Sequence, residues 1–193
     1  MNGLQKLIAD TAEKCISNKI DFLLKRTPTV LAEDTIECSG YFDEESLVVA
    51  TGKGADDWLP ILLHESCHLD QFIEKVPIWK DGESSIDCID AWLCGKNFSK
   101  KKIIKHIQSV INLELDCEKR TAKKIVMYDF DIDITLYIQR ANAYIFSYWA
   151  TFRDRQWFKF PYNNVEIYSN MPDRFLTQEE YNDPNTEFLK FYI

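Results

Sequence analysis

Apolar residues recur along this chain at two spacings, and the change from one to the other marks its elements. Near the start, Leu4, Leu7, Ile8, Thr11, Cys15, Ile16 and Leu23 fall at roughly helical intervals. They predict an opening amphipathic helix over residues 4–25 that stops before Pro28, because proline disfavours helical backbone at the residue ahead of it. The spacing then shortens. Thr35 to Phe42 and Leu47 to Gly52 carry β-branched and aromatic residues around the polar turn Asp43-Glu44-Glu45-Ser46, as a β-hairpin would. Gly52 to Asp57 turns the chain, Asp56 or Asp57 is placed to cap the next helix, and Pro60 is tolerated in its first turn. That helix carries the stripe Ile61, His64, His68 and Phe72 and is stopped by Pro77.

Beyond Pro77 the pattern loses its period. Residues 78–98 read as irregular, with a short helical segment around 86–93. From Ser99, a suitable N-cap, the helical period returns and runs to about Tyr128 without Pro or Gly. Its stripe is Ile104, Ile107, Ile111, Glu114, Glu118, Ala122 and Ile125. Asp131 or Asp133 is placed to cap a further helix over 134–153, whose Leu136, Tyr137, Ala141, Tyr144, Ile145, Tyr148 and Phe152 make a broad apolar face. From about residue 158 the chain is rich in Asn, Pro and aromatics, with a capping box at Thr177 and Glu180, and reads as an irregular extension that wraps the core or meets a partner. The expected fold is α+β and mostly helical, a small antiparallel sheet or hairpin packed on two long helices, in one domain over residues 1–193.

Composition narrows this picture. At 193 residues the chain is long enough for one well-buried core, and 46% hydrophobic residues with few Gly and Pro argue against disorder. A net charge of -8 disfavours nucleic acid as a partner, because the summed field repels a phosphate backbone. Lys100 to Lys102 then read as the solvated start of a helix. Six cysteines, at 15, 38, 67, 88, 94 and 117, are scattered without a signal peptide ahead of them and are expected as thiols in a cytoplasmic protein. No apolar run approaches the roughly 18 residues that cross a bilayer.

The candidate chemistry sits in ILLHESCHLDQF. His64 and His68 are four residues apart and lie on one helix face, so two imidazoles can converge on one tetrahedral ion. Glu65 is turned about 100° from His64 around the axis, too far to compete as a ligand yet near enough to serve as a general base. Asp70 and Gln71 extend the polar face, either as partners that orient a ligand or as solvent-facing polarity. Glu114 and Glu118 fall in register with the apolar face of the later helix, where an ionised carboxylate costs several kcal/mol unless a cation or hydrogen-bond donors compensate it. A metal held by the two histidines would be such a cation. Cys67 and Cys117 lie inside the same two helices, so a mixed Cys/His structural site is a competing reading. His106, about 80° off the face of Glu114, reads as a surface or packing residue.

The segment HESCH followed by ELDCEKRTA resembles the gluzincin branch of the zincin metallopeptidases, and ELDCE resembles the E-x-x-x-D pattern of thermolysin-like and ImmA/IrrE-like peptidases. HESCHLDQF, LELDCEKR and YIQRANAY together are also similar to phage-encoded metallopeptidases, over about residues 40 to 150. The resemblance implies a zincin-like fold and a zinc-dependent peptidase with a peptide or protein substrate. In it His64, His68 and Glu114 would hold Zn²⁺, Glu118 would orient a histidine ring from the outer shell, and Glu65 would be the general base. The chain departs from the pattern at Glu118, where those families have Asp or Asn, which leaves the order of Glu114 and Glu118 open. Zincins also place a Tyr, His or Arg to hydrogen-bond the oxyanion, and Tyr144 is the first candidate, ahead of Tyr137 and Arg140. Leu47 to Ala50 would be the sheet edge that holds an extended substrate, or else an ordinary core strand. The alternatives to a general peptidase are a noncatalytic metal-stabilised protein and a protease with one regulatory target. Oligomeric state is open.

Overall fold

The computed structural model describes residues 2–32, 36–158 and 161–192. The chain divides into two compact units, residues 1–76 with 123–131, and residues 77–122 with 132–193. Most of the chain is helical, and among the described residues no helix is long and apolar enough to cross a membrane.

In the first unit, helix α1 spans Gly3–Asn18 and opens with a capping box between Asn2 and Gln5. It ends earlier than its apolar spacing predicts. Lys19 takes a left-handed conformation (φ 60°), its N–H donates to Ile16 O, and the N–H of Ile20 donates to Cys15 O. This is a Schellman arrangement, which satisfies the last carbonyls and turns the chain. Residues expected to prolong the helix instead form strand β1, Asp21–Lys25.

Strands β2 (Val30–Ala32) and β3 (Ile36–Cys38) make a two-stranded antiparallel pair. Strand β4 (Gly40–Phe42) pairs antiparallel with β5 (Ser46–Ala50) around the expected turn, where Asp43 accepts from the backbone of Glu45 and Ser46. The predicted strand from Thr35 to Phe42 is thus divided between two sheets, and Thr35 itself lies outside the described residues. The larger sheet is mixed rather than purely antiparallel, because β1 joins β5 in parallel register from Asp21 opposite Ser46 to Lys25 opposite Ala50. Strand β5 is therefore the central strand, paired on both sides, and Leu47, Val48 and Val49 are buried. It has no edge to offer a substrate, which leaves the ordinary core strand of the two sequence readings.

Helix α2 spans Ala55–Ile73. Its N-cap is Gly54 rather than Asp56 or Asp57, and those two acids lie in the first turn, where they complement the helix dipole. Pro60 comes in the second turn. The helix packs on the sheet through a close approach at Gly40, where a Cβ would stand 2.6 Å from Ile61 Cγ2 and 3.0 Å from Val48 O. Leu62, Leu63, Cys67 and Leu69 are buried along it.

In the second unit, helix α3 spans Pro77–Leu93, a full 17 residues where an irregular segment with a short helix is expected. Pro77 starts this helix as well as ending the previous one, since a proline in the first turn loses no hydrogen bond. Helix α4, Lys100–Met127, begins after Ser99 as predicted, and its last residues belong to the first unit. Helix α5, Ile134–Asp154, is capped by Asp133, whose side chain accepts from Thr135 and Leu136 N–H. Ile89, Ile107, Ile111, Ile145, Phe146 and Trp149 form the centre of this core. Each aliphatic side chain buried there contributes about 1.5–3 kcal/mol.

The C-terminal residues form short turns and the small helices α6 (Val165–Tyr168) and α7 (Gln178–Tyr181), the latter with the predicted Thr177–Glu180 capping box. They wrap α5. Asn142 donates to Pro172 O and Arg174 O, Trp149 Nε1 donates to Tyr181 O at 2.8 Å, and Tyr192 donates to Ala143 O.

Candidate metal centre

On α2 the spacing of His64 and His68 does what helical geometry requires. Their rings meet edge to face with centroids 4.7 Å apart, and the two Nε2 atoms are 3.1 Å from each other. Two nitrogens bound to one tetrahedral zinc stand roughly 3.3 Å apart, so the pair already has nearly the separation of shared ligands. The orientation of His68 is set three residues on by Gln71, which is fully buried and whose Oε1 lies 2.8 Å from His68 Nδ1. A carbonyl oxygen only accepts, so Nδ1 carries the proton and Nε2 keeps its lone pair. Of the two residues expected to orient a ligand, Gln71 is the one that meets a histidine ring.

Asp70 is used differently. It accepts from Lys14 at 2.6 Å and from Lys124 at 2.8 Å, and Lys124 also donates to Ser66 O and Oγ. Lys124, on the last turns of α4, thereby grips the turn of α2 that carries the histidines. Removing one partner of such a buried pair costs about 3–5 kcal/mol, so the turn is held firmly.

Glu65 is buried at 9% exposure. Burial, and then the Glu65 charge, raise the Cys38 thiol above its ordinary value, which places the carboxylate in the electrostatic reach of β3.

In the second unit, α4 carries Glu114 and Glu118 one turn apart, 4% and 6% exposed, as the stripe predicts. Both meet phenols from α5. Tyr144 Oη and Tyr148 Oη each lie 3.3 Å from Glu114 Oε1 and 2.9 Å from each other. Tyr137 donates a short hydrogen bond to Glu118 Oε2. All three phenols are held well above their ordinary pKa, first by burial and next by the charge of the carboxylate each one faces, so they remain neutral donors. Arg140, a lesser oxyanion candidate, lies over the ring of Tyr168, 5.1 Å from its centroid. His106 has the expected packing role. Its Nδ1 is 3.0 Å from Ser85 Oγ, and burial and then Lys102 and Lys105 lower its pKa.

Among the described residues, His64, His68, Glu114 and Cys117 each offer a ligand atom within 4.8 Å of the other three, a group that can hold a metal ion. Two imidazole nitrogens, a carboxylate oxygen and a thiol sulfur fit the donor chemistry of a borderline-soft divalent ion such as zinc. Cys67, the other thiol weighed as a ligand, is buried outside this group. Cys117, expected with Cys67 as a competing thiol because both lie inside the two candidate helices, is the one that joins the group, whereas Tyr148 is hidden among the aromatics that usually fill a core. The chain matches no protein-family model, no curated protein and no solved structure.

Proposed function

We propose that this chain is a zinc-dependent peptidase acting on a peptide or protein substrate. The observation that carries the reading is the convergence of donor atoms from His64, His68 and Glu114 beside a buried Glu65 at the second position of H-E-x-x-H. In this reading His64, His68 and Glu114 hold the ion, and Glu118, which accepts from Tyr137, orients a histidine ring from the outer shell. A bound zinc supplies Lewis acidity, polarising a peptide carbonyl and making water easier to deprotonate. Glu65 takes a proton from the attacking water and returns it to the amide nitrogen as that bond breaks. Tyr144, the candidate oxyanion donor, serves once its hydroxyl turns from Glu114 to the carbonyl oxygen of the substrate.

The test combines metal analysis with one substitution. Purified protein loaded with zinc holds about one ion per chain. Glu65→Gln keeps the ion and loses hydrolysis of fluorescein-labelled casein. A variant that still cleaves at the wild-type rate removes Glu65 from the mechanism, and a chain that holds no zinc removes the whole reading.

One observation favours a second reading. Cys117 supplies a fourth protein donor, and four protein ligands are the pattern of a closed structural site, so a noncatalytic metal-stabilised protein follows if the thiol ligates. Cobalt substitution separates the two. A near-ultraviolet thiolate-to-cobalt band that vanishes in Cys117→Ser assigns the closed site, and its absence from the wild type assigns the open one. A protease with a single regulatory target is the version of the enzyme that leaves casein intact while the cobalt site is open.

A further inference from the structure

Two carboxylates one turn apart on α4 face three phenols spaced along α5, and the pairing is in register: Tyr137 on Glu118, Tyr144 and Tyr148 on Glu114. Both phenols that reach Glu114 converge on the same oxygen, Oε1. Each carries one proton and the two hydroxyls also touch each other, so with Tyr144 donating to Tyr148 the proton of Tyr148 is directed at Oε1. Tyr148 is the more buried of the two, at 5% exposure, and its ring packs edge to face against Tyr144, at 5.6 Å, and Trp157, at 5.9 Å.

We infer that Tyr148 is a positioning residue for the metal ligand Glu114, engaging Oε1 so that the carboxylate binds the ion through Oε2 alone. The inference rests on the metal reading above and extends it to how the third ligand coordinates. A carboxylate hydrogen-bonded on one oxygen is fixed about its terminal torsion, and its second oxygen is the one delivered to an ion. Such outer partners orient ligands and are worth about 10–100-fold in metal affinity. The consequence for the site is a coordination position that a bidentate carboxylate would otherwise fill.

The test is zinc affinity, measured by competition with a chromophoric chelator on the full chain. Tyr148→Phe keeps the ring and its packing and removes only the hydroxyl. Zinc binding is expected to weaken by about 10–100-fold, with the thermal midpoint of the metal-free variant close to that of the wild type. Wild-type affinity in Tyr148→Phe, alongside loss of zinc in Glu114→Gln, overturns the positioning role and leaves the ligand set standing. Wild-type affinity in Glu114→Gln overturns the ligand set itself. A second measurement needs no variant: zinc-minus-apo difference infrared spectra of wild-type protein labelled with carbon-13 in its Glu carboxyls. A wide separation of the carboxylate stretches is expected for one-oxygen binding, and the narrow separation of two-oxygen binding overturns the inference even if Tyr148→Phe fails to fold.

Discussion

A histidine can bind a metal only with the ring nitrogen whose lone pair is available, so the hydrogen bond on the opposite side of the ring decides whether His68 is a ligand. Gln71 makes that bond from three residues further along α2, entirely out of solvent. Replacing it by alanine removes the acceptor, frees the ring to rotate and lets the proton move to Nε2. Gln71→Ala is therefore expected to weaken zinc binding by about 10–100-fold in a chelator competition. Gln71→Glu keeps an acceptor at the same place and is expected to restore most of the affinity. Equal affinity in wild type and Gln71→Ala would mean that some other contact fixes the ring. The sequence displays the H-E-x-x-H letters and the position of Gln71, but not its burial. A polar residue beside a ligand looks the same whether it faces water or the ring. Asp70 shows the difficulty, since the adjacent acid on the same helix serves two lysines instead.

At the scale of elements, helix α3 is where local letters mislead most, and Gly82 is the reason. Glycine in mid-helix gives up as much as about 1 kcal/mol relative to alanine, so a segment containing it reads as a turn. Here it is the contact point of two helices. A Cβ at this position would stand 2.4 Å from Leu113 Cδ2 and 2.9 Å from Leu113 Cβ. The second atom is anchored to the backbone of α4 and cannot swing away, so the overpacking cost of about 1–3 kcal/mol exceeds the propensity gain. Gly82→Ala is expected to lower stability by about 1–2 kcal/mol, read as a lower urea midpoint at unchanged slope. A rise in the midpoint would show that propensity wins and that the contact yields. The early end of α1 was hidden for a related reason. Its left-handed cap is Lys19, a residue that does not announce such a conformation as glycine would. The parallel pairing of β1 with β5 joins residues 25 positions apart at every step, and no local pattern encodes it. What was legible, the long helix from Lys100 and the helix from Ile134 with its Asp133 cap, has an unbroken period and a side chain at its boundary that hydrogen-bonds the first turn.

For the molecule as a whole, the donor atoms come from two short runs, residues 64–68 and 114–117, with 45 residues between them. An unfolded chain presents each run as a weak two-donor site. Bringing them to one ion requires closing a loop whose entropic cost is about 3 kcal/mol or more. On the proposed reading, the native state has met that cost before the ion arrives, so the ion binds it more tightly and stabilises it by mass action. At free zinc about 100 times the dissociation constant, the gain is about 2.7 kcal/mol. For a chain of this size each kcal/mol moves the thermal midpoint by about 2–4 °C, so stripping the metal with a chelator is expected to lower it by about 5–10 °C. The midpoint should climb again with the logarithm of added zinc, and His68→Ala should abolish the climb. Magnesium, which prefers an octahedral shell of oxygens, should have no such effect on a site rich in nitrogen and sulfur donors. A midpoint that ignores both chelator and zinc would mean that these four side chains meet without holding an ion. A zinc response that persists in His68→Ala would place the ion elsewhere in the chain.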